Sequence, residues 1–349
     1  FTSVLASPPT KVSRCTVSYP EDSLLKNASK TFVVMLLILS MSLLGLPAVG
    51  LAAPIGTDAL VQLDQRGQLL SQIQTQLVRD DVRAQFLESG VSPVEVTPES
   101  LVRTAERTHA RLVVSSYNEP LITQEWSMAI FEQAKAAGLL TGFVSNGNAT
   151  PQALDFIKPY TDCYKVDLKS FRQENYRELG GQLKHVLWTI EELHRRGFWL
   201  EVLTLVIPGF NDSSGELWDI ARFIAGVSLE IPWHVTAFHK DYQMTEPDNT
   251  TAAALIRAVE IGQEAGLHYV YAGNRPGEVG PYENTLCPQC GTVLIERYGY
   301  VILGYHLTGK GTCPTCQHKI PGIWPDSANK VQTGTTDDIY RRRPVRLSF

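Results

Sequence analysis

The sequence predicts an α/β fold built on parallel strands, and three observations predict it. Strand and helix signals alternate from Thr97 onward, glycines stand where helices should end, and polar residues gather just past the strands. Strands are expected at 112–115, 141–145, 164–168, 200–206, 234–238 and 269–271. Helices are expected near 124–137, 151–157, 183–196, 217–225 and 251–265. Such a repeat makes either a barrel or a doubly wound sheet.

The elements follow in order. Thr97-Pro98-Glu99-Ser100 opens a helix, with threonine as N-cap, proline at the first helical position and an acid in the first turn. The β-branched pair Val113-Val114 then starts a strand that ends in Ser115-Ser116-Tyr117-Asn118-Glu119-Pro120. Gly138, Gly197 and Gly266 sit at the expected helix C-termini, where a left-handed residue closes the last turn.

The strand ends carry the chemistry. They present Ser115, Asn118 and Glu119, then Ser145-Asn146-Gly147-Asn148, Asp167 with Lys169, Pro208-Gly209 with Asn211-Asp212, His234 with His239, and Gly273-Asn274. Each has a bland reading: Asn-Gly is commonly a turn, Asp-Leu-Lys a surface ion pair, and a single histidine a structural residue. Together, polar groups at the carboxyl end of nearly every strand are what an active site on parallel strands requires.

The rest of the chain adds appendages. With 349 residues, 44% of them hydrophobic, there is material for one large core and more than one unit. A net charge of -5 leaves no basic excess to neutralise phosphates, so no nucleic acid is expected as the main partner. The sequence opens on Phe1, as a fragment or processed product would, and residues 1–30 read as disordered or spurious. Residues 31–57 carry no charge, follow Lys26 and Lys30, and end in small residues, so they read as a signal-peptide-like or transmembrane helix with possible membrane contact. Residues 58–92 repeat Leu60, Leu63, Leu70, Ile73 and Leu77 at roughly helical spacing, giving amphipathic helices. Beyond the last strand, Cys287-Pro288-Gln289-Cys290 and Cys313-Pro314-Thr315-Cys316 flank two strand-like runs turned at Tyr298-Gly299. Four thiolates so spaced suit tetrahedral zinc in a zinc-ribbon-like module over 281–326; iron also takes four cysteines, and disulfides would follow export. Residues 327–349 form a tail.

Several of these stretches resemble a known family. Ser115 to Thr123, Val144 to Asn148, Lys165 to Lys169, Glu201 to Asp212 and Ile231 to His239 look like the radical S-adenosylmethionine (SAM) enzyme of the AmmeMemoRadiSam system, which is similar to pyruvate formate-lyase activating enzymes. The likeness runs from about Val94 to Trp324. It implies a partial (β/α)6 TIM-like barrel over 94–280, truncated at its first strand, that holds SAM across the strand ends. By position, Ser116, Asn118 and Glu119 would lie at the methionine amino group, Asp167, Lys169 and His239 near the methionine and ribose, and Asn146 in the wall. Family chemistry starts from a [4Fe-4S] cluster on Cys-x-x-x-Cys-x-x-Cys, where reductive cleavage of SAM gives a 5'-deoxyadenosyl radical that abstracts hydrogen from a protein or small-molecule substrate. That triplet is absent here; Cys15 and Cys163 stand alone, and Cys163 reads as a small buried thiol.

Residues 30–92 instead resemble a family of short exported bacterial proteins. The simplest account is that a deletion, frameshift or assembly error replaced the first strand and cluster loop with this unrelated start; taken as written, the sequence predicts a folded barrel without radical activity. Two other readings are a non-catalytic barrel that binds SAM or a partner protein, and a membrane-tethered protein. The barrel reading places the chain in the cytoplasm; the leader reading places it in a membrane or outside the cell.

Overall fold

The structure is a computed structural model, and it describes residues 96–116, 119–240 and 245–335. The expectations for residues 1–30, 31–57 and 58–92, and for Asn118, lie outside the described residues. No helix among the described residues is long and apolar enough to cross a membrane.

Helix α1 (Pro98–Arg107) begins at Thr97, whose side chain accepts from the Ser100 amide at 3.2 Å while Ser100 Oγ accepts from the Thr97 amide at 3.0 Å. Two orphan N–H groups are thereby satisfied by local side chains. Strand β1 (Leu112–Ser115) follows, then a 3-10 turn (Pro120–Thr123) running into α2 (Gln124–Ala136). The pattern continues through β2 (Leu140–Ser145), α3 (Pro151–Ile157), β3 (Cys163–Asp167), α4 (Gln173–Glu178), α5 (Leu183–Arg195), β4 (Trp199–Val206), α6 (Ser214–Val227), β5 (Trp233–Ala237), α7 (Ala252–Glu264) and β6 (Val270–Gly273). Gly138, Gly197 and Gly266 do close helices, at φ 75°, 72° and 96°.

The six strands pair in parallel and in unbroken sequence order, β1 to β6. Without a reversal there is no doubly wound switch point, and the right-handed crossovers usual between parallel strands put the connecting helices on one face. Alternate strand residues face that helical layer. Phe143, Tyr164, Val166, Val202, Trp233 and Val235 pack there against Phe131, Ile190, Leu217 and Leu255. An aromatic run crosses it, with ring centroids 5.3 Å apart for Phe131–Phe143 and 5.7 Å for Phe143–Tyr164.

The inner face takes the other parity. At its amino end it is apolar: Leu112, Val114, Leu140, Cys163 and Trp199 cluster with Ile323, which the chain brings back from beyond the cysteine pairs. Higher up it carries Lys165, Asp167, Glu201 and His234. The four-cysteine module adds an antiparallel sheet of β7 (Thr285–Leu286), β8 (Val293–Tyr298) and β9 (Val301–Tyr305). It packs on the β6 side, where Tyr269 and Tyr271 meet Leu294, Ile302 and Leu307.

Two differences from the sequence expectation have local causes. Helix α4 was not expected, because its six residues bury Tyr176 alone and show no apolar period. Helix α6 starts at Ser214 instead of Leu217, since Ser213 caps the Glu216 amide and the buried Glu216 carboxylate fastens the turn after β3.

Gly147 tests this packing. It sits at φ 77°, and an added Cβ would lie 2.7 Å from Val166 Cγ1 and 3.0 Å from Val186 Cγ1. Gly197 has a similar φ of 72° with nothing within 4 Å. Urea unfolding is expected to show a loss of about 2–4 kcal/mol for Gly147→Ala and about 1 kcal/mol for Gly197→Ala. Equal losses would contradict the close approach.

Candidate functional site

Strand register builds the site. Asp167 pairs with Leu203, Leu203 with His234, and His234 with Tyr271, so Asp167, His234 and Tyr271 occupy one row of the inner face. Lys165 and Glu201 form the row beneath. If the carboxyl end of the inner face is called the mouth, its lower row, or floor, is charged, and the apolar cluster lies toward the amino ends of the strands.

Asp167 and Lys169 are on the rim together, with Nζ 3.2 Å from Oδ2, and Lys165 Nζ stands 4.0 Å from Oδ1. Asp167 Oδ1 is buried and accepts no hydrogen bond from the described residues. The Lys169 backbone is fixed: its amide donates to Tyr176 Oη at 3.2 Å and its carbonyl accepts from Asn211 Nδ2 at 2.7 Å. Asn211 also accepts from the Ile207 amide at 2.7 Å, so this strand-end amide is a structural staple.

Glu119 is 8% exposed and already engaged. Oε1 accepts from Ser145 Oγ at 2.8 Å and the Leu121 amide at 3.2 Å, and Oε2 accepts from the Asn146 amide at 2.7 Å. The carboxylate thus stitches the end of β1 to the end of β2. Burial pushes its carboxyl up, those hydrogen bonds oppose the rise, and the charge of Asp167 adds to it. Asn146 turns its Oδ1 back to the Asn148 amide at 2.9 Å. Ser116 is exposed at the end of β1, and His239 is exposed two residues past β5. Of the described residues expected from sequence, Asp167 and Lys169 are in direct contact, Glu119 and Asn146 are tied up in strand-end hydrogen bonds, and Ser116 and His239 follow the ends of β1 and β5.

Of the floor, the sequence offered His234 and not its partner Glu201. Glu201, 1% exposed, accepts from Trp199 Nε1 at 3.0 Å, and its Oε2 lies 2.8 Å from His234 Nε2. Burial, with the nearby Lys165 and Arg297 cations, holds His234 well below the usual imidazole range. With the ring proton on Nε2, the imidazole donates to the Glu201 carboxyl. The imidazole stacks on Tyr271, centroids 5.2 Å apart and planes 19° off parallel. The available signal was a lysine and a glutamate inside otherwise apolar strands at inner-face parity.

The four cysteines form a second site. Their ligand atoms all lie within 4.8 Å of one another, with Cys287 Sγ 3.5 Å from Cys316 Sγ and Cys290 Sγ 3.7 Å from Cys313 Sγ. A tetrahedral ion at about 2.3 Å from each sulfur needs edges of roughly 3.8 Å, whereas a disulfide needs about 2.05 Å, so the donor set fits a metal. Each pair is closed by a left-handed residue, Gly291 at φ 73° and Gln317 at φ 64°, whose amide donates to the carbonyl of the first cysteine at 2.8 and 3.1 Å. Hydrogen bonding from Thr292 holds the Cys290 thiol down at about 6.

Among the described residues, no three cysteines stand at the strand carboxyl ends to hold a [4Fe-4S] cluster. Cys163 lies at the amino end of β3, away from the rim, and burial pushes its thiol up to about 12. The remaining described cysteines belong to the second site.

No family model matches the chain. The uncharacterized protein MJ0808 of Methanocaldococcus jannaschii is 32% identical over 240 residues, which cover 68% of this chain and 71% of that protein. The chain belongs to the MJ0808 family. A second relative of this family member, the isethionate sulfite-lyase activating enzyme of Oleidesulfovibrio alaskensis, is 25% identical over 131 residues, covering 37% of the chain and 42% of that enzyme. Among solved structures, a domain of pyruvate-formate lyase-activating enzyme from Bacteroides vulgatus overlays with a TM-score of 0.41 at 19% identity, over 46% of this chain and 98% of that one. Streptococcus suis SuiB bound to S-adenosylmethionine overlays with a TM-score of 0.44 at 12% identity, over 52% and 45%.

Glu119 gives the rim a pH signature. Its folded carboxyl titrates above the unfolded value of about 4.5, so the native state holds the proton more tightly. That contribution is present in full below the unfolded value and is lost as pH rises through the folded one. Glu119→Gln removes the loss. Urea unfolding from pH 4 to 8 is expected to show the variant gaining on the parent as pH rises, and parallel profiles would contradict it.

Proposed function

We propose that the chain is a SAM-binding barrel of the radical SAM activating-enzyme type, over 94–280, which holds the cofactor without cleaving it reductively because the cluster loop is absent. The strand-end stretches at 115–123, 144–148, 165–169 and 231–239 support the family, as does the shared sequence with an enzyme named as an activating enzyme. The observation that carries the reading is Asp167: a buried carboxylate oxygen with no hydrogen bond from the described residues, set between Lys165 and Lys169 at the mouth. Such an atom calls for a donor, and buried polar groups without partners are costly.

SAM is zwitterionic at its methionine end and, when bound, brings a reactive sulfonium. In this chain Asp167 Oδ1 would accept from the ammonium and Lys169 would take the carboxylate, both as charge-assisted contacts. Ser116, Asn118, Asn146 and His239 would line the wall, and Glu119 would hold the β1 and β2 ends in place beside it. The closed four-thiolate site over 281–326 would hold zinc structurally, leaving no open coordination position. Unbridged thiolates of that kind belong in a reducing compartment, which favours the cytoplasm. A protein or small-molecule substrate would approach from the same rim.

Equilibrium dialysis with labelled SAM is expected to show binding that Asp167→Asn weakens about tenfold or more, the equivalent of one charged hydrogen bond. After anaerobic reconstitution with iron and sulfide and reduction with dithionite, no 5'-deoxyadenosine should appear. Its release, or undiminished binding by Asp167→Asn, would overturn the proposal.

A further inference from the structure

The four-cysteine module reaches into the floor of the mouth through one side chain. A register shift between Glu296 and Arg297 interrupts the pairing of β8 with β9, and such bulges re-aim the residue they carry. The Arg297 amide donates to Asn284 Oδ1 at 2.8 Å, and Nη1 donates to Thr285 Oγ1 at 2.7 Å and to the Glu283 carbonyl at 3.3 Å. Its guanidinium carbon lies 5.7 Å from the centroid of the Tyr271 ring. Tyr271 Oη in turn bonds Thr285 Oγ1 at 3.1 Å, so arginine and tyrosine share one hydroxyl. On the barrel side, Tyr271 stacks on His234, which bonds Glu201, which accepts from Trp199.

We propose that Arg297 is a positioning residue through which metal in the four-cysteine centre sets the His234–Glu201 floor of the mouth. The mechanics follow from chain order. Cys290 and Cys313 bracket the β8–β9 hairpin, so an ion shared by the four sulfurs closes the loop that carries Arg297. In small modules of this kind metal binding is largely folding free energy. Without the ion, β8 keeps β9 and the two-residue β7 as its sheet partners. A loosened β8 withdraws the guanidinium from Tyr271, and the ring that His234 stacks on loses its cation.

The test uses the full chain, labelled with nitrogen-15, and reads two signals of the floor: the Trp199 indole N–H, assigned with Trp199→Phe, and the His234 ring. Metal removal with 1,10-phenanthroline is expected to move both, and zinc addition to return them. Arg297→Met is expected to move both while one equivalent of zinc stays bound, with Arg297→Lys intermediate and the exposed Tyr300→Ala unchanged. Signals that stay put on metal removal would overturn the proposal even if Arg297→Met fails to fold, as would an Arg297→Met protein with parental signals. SAM affinity should also fall about tenfold in Arg297→Met. That arm alone rests on the proposed function, so a parent chain that binds no SAM counts against the function while the two signals still judge Arg297.

Discussion

Parallel pairing in unbroken order is the constraint from which the rest follows. The right-handed crossovers usual between parallel strands send the connecting helices to one side, so the other side of the sheet must be closed by something other than helices. At the amino end Ile323 closes it, packed among Leu112, Cys163 and Trp199. Along β6 the four-cysteine module closes it, through Tyr269 and Tyr271. The carboxyl end is left to polar side chains, and register places Asp167, His234 and Tyr271 there in a single row.

Buried carboxylates then decide which groups are structure and which remain available to a ligand. Glu119 has three donors, and the buried Glu216 accepts from Ser170, from the Phe171 amide and from Arg172 Nε. Both fasten a strand end to its neighbour and offset the cost of desolvating a charge with fixed N–H and O–H groups. Asp167 differs in kind, since one of its oxygens is buried without a hydrogen bond while two lysines hold the charge in place. A residue of that description suits a ligand better than a scaffold.

Apart from α4 and the two-residue β7, the order of elements was legible in the sequence because each rests on a local signal. Helix α3 matches its expected bounds, since Thr150 caps it and Pro151 opens it, and the glycine caps mark the ends of their helices. The polar runs after β1, β2 and β3 were legible for the same reason: each directly follows an apolar strand. The division of labour among them was not legible, because it depends on neighbours across strands. Glu119 is a strand-end brace only because Ser145 and Asn146 lie beside it, and Asn146 is a turn residue only because its side chain reaches Asn148. The floor was hidden inside strands, where Lys165 and Glu201 look like interruptions of an apolar pattern until pairing puts them side by side. Arg297 needed a bulge in a separate sheet to point it inward, and no local pattern announces that.

Hydrogen–deuterium exchange of the full chain with and without SAM tests the central claim most directly, since it reports where a ligand is held without presuming any chemistry. The account predicts new protection at 116–120, 145–148 and 167–170, with the amino ends of the same strands unchanged. Protection confined to the amino end around Ile323 and Trp199, or none at all, would contradict it.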